Sequence, residues 1–81
     1  MPISAVKRDA SVVGLEFDEH SLRLFLADGR ELATPLEWLP RLRDASAEQR
    51  RNWRPIGKGE GIHWPDIDED VSVNALLGLP T

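Results

Sequence analysis

Apolar and polar side chains alternate along residues 12–34 with a period of two, which predicts strands. In VVGLEFD, Val13, Leu15 and Phe17 alternate with Gly14, Glu16 and Asp18; in SLRLFLA, Leu22, Leu24 and Leu26 alternate with Arg23 and Phe25. A two-residue turn at Glu19 and His20 sets Phe17 against Leu22, Glu16 against Arg23 and Leu15 against Leu24. One face is then apolar and the other carries an ion pair. The next turn holds Ala27, Asp28 and Gly29. A three-residue loop with Gly29 left-handed, closing a bulge, brings Leu32 opposite Leu24, whereas a two-residue loop would put Glu31 there. An additional strand over residues 3–8 is expected to pair with this meander.

The period changes at Thr34. Thr34, Pro35 and Glu37 have the form of an N-cap, a first-turn proline and a capping-box acid, and Trp38, Leu39 and Leu42 follow at helical spacing. Pro40 removes a helical hydrogen bond, so this helix is short or irregular. Ser46 and Gln49 form a second capping box, with Trp53 as the large apolar anchor of the polar turn that follows. Arg54 to Gly57 and Ile62 to Trp64, separated by a glycine-bracketed turn, read as a second hairpin that Pro65 ends. Ser72 caps a last helical turn with Val73, Leu76 and Leu77 inward, and Gly78 and Pro80 stop it. Residues 1–81 are therefore expected to form a single α+β domain. It consists of an antiparallel β-meander plus a second short hairpin, with two or three short helices packed on one face.

Composition narrows the function classes. Area scaling for 81 residues buries roughly 60% of the unfolded chain's surface, enough for one small core but not for a deep catalytic cleft. The chain has no cysteine, so it has no disulfide framework, thiolate nucleophile or thiolate metal site. It carries no apolar run of signal-peptide or membrane-spanning length, and is expected to be soluble, unprocessed and cytoplasmic. The formal net charge of −4 is unevenly distributed: residues 1–40 carry −3, residues 41–58 carry +4 and residues 59–81 carry −5. The basic middle and the acidic tail read either as complementary faces of one domain or as a patch for a polyanion.

Two groups of side chains are candidates for chemistry. His63, Asp66, Asp68, Glu69 and Asp70, with Trp64 among them, form the densest set of potential ligands or acid–base groups. Asp66, Asp68 and Asp70 alternate as in a calcium loop, yet no glycine follows Asp70 and Leu77 occupies the place of the bidentate glutamate. No metal, cofactor or catalytic residue is expected. GKGEG lacks the ending of a phosphate-binding loop, and Ser21 beside His20 has no supporting acid in a triad order. The second group, Arg41, Arg50, Arg51 and Arg54 interleaved with Trp38 and Trp53, is the candidate partner-binding surface. Its alternative reading is structural, with the tryptophans in the core and the arginines solvated or bonded to the acidic tail.

The stretch GIHWPDIDEDVSVNALLG, together with Trp38 to Leu42 and Ala47 to Trp53, closely resembles the small bacterial family known as domain of unknown function 2442. The resemblance runs from LADGREL to the final Leu-Leu-Gly. It implies an α+β fold which in some relatives precedes a helix-turn-helix domain, and a gene arrangement like that of toxin–antitoxin pairs. The family has no established catalytic residues to carry over. The resemblance therefore implies a protein-interaction module, antitoxin-like or regulatory, whose partner is a small, toxin-like protein from an adjacent gene; self-association into a homo-oligomer is the related possibility. The other function reading is a nucleic-acid-associated transcriptional regulator that uses the arginine-rich middle. The motif His63 to Asp70 has a structural reading as well. Trp64 before Pro65 must be extended, and the carboxylates are expected to help cap the helix that Ser72 begins.

Overall fold

A computed structural model of the chain describes residues 8–78. The strand expected over residues 3–8 lies outside them apart from Arg8, which belongs to no strand. Strands β1 (Val12–Phe17), β2 (Ser21–Leu26) and β3 (Glu31–Pro35) form one antiparallel sheet in the order β1-β2-β3. A 3-10 turn (Leu36–Trp38) and the short helices α1 (Pro40–Arg43) and α2 (Ala47–Arg51) follow. Strands β4 (Arg54–Ile56), β5 (Gly61–Trp64) and β6 (Glu69–Ser72) build a second antiparallel sheet in chain order, and α3 (Val73–Leu76) ends the described fold. The architecture is α+β. The second hairpin is present, and the acidic stretch extends it by one strand.

The meander has the register that its alternation predicts. Leu15 pairs with Leu24, Glu16 with Arg23, Phe17 with Leu22, and Leu24 with Leu32. The Asp18 carboxylate braces the first turn by accepting from the His20 and Ser21 backbone N–H groups at 2.9 and 2.7 Å and from the Ser21 hydroxyl at 2.7 Å. Gly29, at φ 91°, closes the second turn.

The start of β1 departs from simple alternation. Val12 pairs with Leu26 and Gly14 with Phe25, so Val13 is an extra residue in a bulge. The phase shifts there: Val12 is buried and Val13 is 66% exposed, the reverse of the expectation for Val13. The cause is a contact from the second sheet, in which the Val12 N–H donates to the Gly59 carbonyl at 2.9 Å. Gly59 sits at φ 93°, and a Cβ there would lie 2.8 Å from the Val12 nitrogen. Only glycine lets these two backbones meet.

Val12, Leu22, Leu24, Leu26, Leu36, Leu42, Ile62, Trp64, Val71 and Val73 form one buried cluster drawn from both sheets, the 3-10 turn, α1 and α3. Three expectations about this region are corrected. Thr34 does not cap a helix; it is buried in β3 opposite Leu22. The expected helix divides at Leu39, and Pro40 opens α1 in the first position, where its missing N–H costs nothing. Trp38, now on the separate 3-10 turn, is 69% exposed and holds no helix to the sheet. Trp64 is fully buried and meets Phe17 edge-on, with ring centroids 6.3 Å apart. Among the described residues no helix is long and apolar enough to cross a membrane.

Candidate functional site

The Ser46 capping box fixes the start of α2. The Ser46 hydroxyl accepts from the Gln49 N–H at 3.1 Å, and the Gln49 side-chain oxygen accepts from the Ser46 N–H at 2.9 Å. The next residue, Arg50, turns inward rather than toward water or the acidic tail. Its Nε and Nη2 donate to the carbonyls of Leu42 and Arg43 at 3.0 and 2.9 Å, at the end of α1, where a cation also meets the negative end of the helix. Its guanidinium lies 4.8 Å from the centroid of the Phe17 ring, and its own carbonyl accepts from the Trp64 indole N–H at 3.1 Å. One side chain and one peptide group thus tie α2 to α1, β1 and β5.

This clamp leaves an open groove of about 570 Å³ between β1 and α2. Leu15, Glu16 and Phe17 form one wall, and Ala47, Arg50, Arg51 and Trp53 form the other. Trp53 is half-buried against the core, while Arg51 and Ala47 are exposed on the rim. Of the residues expected to bind a partner, the groove brings Arg50, Arg51 and Trp53 together. Trp38, Arg41 and Arg54 stand elsewhere: Trp38 on the 3-10 turn, Arg41 with its Nη1 donating to the Asp68 carbonyl at 2.6 Å, and Arg54 opposite His63 on the exposed β4. Leu15, Glu16, Phe17 and Ala47 are groove residues that the sequence had not singled out. The available signal was the alternation of β1, but its use depends on knowing that β1 lies at a sheet edge.

The acidic motif is dispersed rather than gathered. His63 and Asp70 face each other across β5 and β6, with Nδ1 and Oδ1 2.5 Å apart. Asp66 accepts from the Asn52 side chain at 3.1 Å, and Glu69 accepts from the Asp70 N–H at 3.1 Å. Asp68 takes a left-handed conformation, φ 50°, that closes the β5–β6 turn. The expectation that these carboxylates cap the last helix is corrected: Ser72 does so, accepting from the Ala75 N–H at 3.3 Å, because the acids lie along a strand and its turn. Among the described residues no three His, Asp or Glu side chains converge in a way that could hold a metal ion.

Basic middle and acidic tail do touch, but through neutral groups: Arg41 to a backbone carbonyl and Asn52 to Asp66. Each ion pair of the described residues lies within a single segment, among them Arg23 with Glu16 at 2.9 Å in residues 1–40 and Arg43 with Asp44 at 3.0 Å in the basic middle. The latter pair raises the Arg43 pKa and lowers that of Asp44, in each case chiefly through their shared side-chain hydrogen bond.

The family model described as Protein of unknown function (DUF2442) matches residues 12–79. Among solved structures, the chain is similar to a protein of unknown function from Rhodospirillum rubrum ATCC 11170, determined by crystallography at 2.75 Å resolution. The two share 24% identity with a TM-score of 0.70, over 89% of this chain and 90% of that one, a likeness of fold. No curated protein matches the chain.

Proposed function

The chain belongs to the family Protein of unknown function (DUF2442), and from that premise we propose that it is a non-enzymatic protein-interaction module, the antitoxin-like or regulatory partner of a small protein encoded beside it. The observation that carries this reading is the groove between β1 and α2. It presents apolar wall atoms from Leu15, Phe17 and Trp53 next to the exposed cation of Arg51, a combination suited to an apolar anchor flanked by a carboxylate. A cytoplasmic setting accords with the absence of cysteine. The nucleic-acid reading draws less support, because Arg41, Arg43 and Arg50 are engaged within the fold and leave few guanidinium groups for phosphates.

Co-expression of the chain with the product of the adjacent gene tests the proposal. A stoichiometric complex is expected, weakened about tenfold or more by Arg51→Glu or Ala47→Glu on the groove rim. Absence of a complex, or a complex indifferent to both substitutions, overturns it.

A further inference from the structure

We draw no further inference here: the strongest candidate, the hollow of about 280 Å³ on the exposed side of the second sheet, is rimmed by the carboxylates of Glu60 and Asp70 around Ile56 and Ser72, and nothing among the described residues points to a ligand that would fill it.

Discussion

The Arg50 guanidinium lies over the Phe17 ring, 4.8 Å from its centroid, while both of its bonded nitrogens reach back to α1. The cation is therefore held between an aromatic face and two carbonyls, and Phe17 in turn is held edge-on by Trp64. A planar fork is required for this, which an ammonium cannot supply.

Arg50→Lys is accordingly expected to destabilise the fold by roughly 1–3 kcal/mol, the range for hydrogen bonds to a charged group that are lost without replacement. Urea denaturation followed by circular dichroism reads this directly. Arg51→Lys, on the exposed rim, provides the comparison and is expected to change stability by less than about 0.5 kcal/mol.

Trp64 and Trp38 should behave as opposites. Trp64 is fully buried with its N–H bonded to the Arg50 carbonyl, whereas Trp38 is 69% exposed. Trp64→Ala is expected to cost about 3–5 kcal/mol and Trp38→Ala less than about 0.5 kcal/mol. Trp38→Phe should also remove most of the acrylamide-quenchable fluorescence, and the remaining emission should be blue-shifted.

Glycines at two turns separate backbone strain from steric contact. Gly29 and Gly59 both have positive φ, but a Cβ at Gly29 meets nothing within 4 Å, while one at Gly59 meets the Val12 nitrogen at 2.8 Å. Gly29→Ala is expected to cost about 1 kcal/mol, the conformational term alone. Gly59→Ala should cost appreciably more and should expose the Val12 amide to hydrogen exchange. Equal effects at the two sites would show that the approach of the sheets through Val12 and Gly59 is unimportant.

The first turn should be acid-sensitive. The Asp18 pKa is lowered, chiefly by its side-chain hydrogen bond from Ser21 and then by the backbone N–H groups of His20 and Ser21. A carboxyl with a depressed folded-state pKa contributes stability that is fully present above its ordinary value near 3.8 and is lost as pH falls through the lower folded value. Asp18→Ala should therefore be less stable than the parent at neutral pH, and the difference should shrink as pH falls below 3.8. A thermal melting series from pH 7 to pH 2.5 checks the sign.

Much of the meander was legible because alternation and turn length jointly determine which residues oppose each other. Pairing Leu15 with Leu24 left little freedom for Glu16 and Arg23. The phase at Val13 was not legible, since it depends on a hydrogen bond to Gly59, far along the chain. Trp38 misled for a local reason: its helical spacing to Leu42 has meaning only on an unbroken helix, and Pro40 starts a new one. The groove was half legible. Arg50, Arg51 and Trp53 stand out by composition, but Leu15 and Phe17 join them only through sheet order and the inward turn of Arg50.

The bulge at Val13 also bears on how the chain can vary in length. Insertions and deletions are ordinarily confined to loops, because losing a residue within a strand reverses the facing of all that follow. Here Val12 already pairs with Leu26 and Gly14 with Phe25, with Val13 as the extra residue between them. Removing Val13 would restore unbroken alternation and leave every other cross-strand partner unchanged. Mid-strand β1 is thus a position where one residue can be gained or lost at little cost to the sheet, so a natural or engineered variant that lacks it should still close the same hairpin.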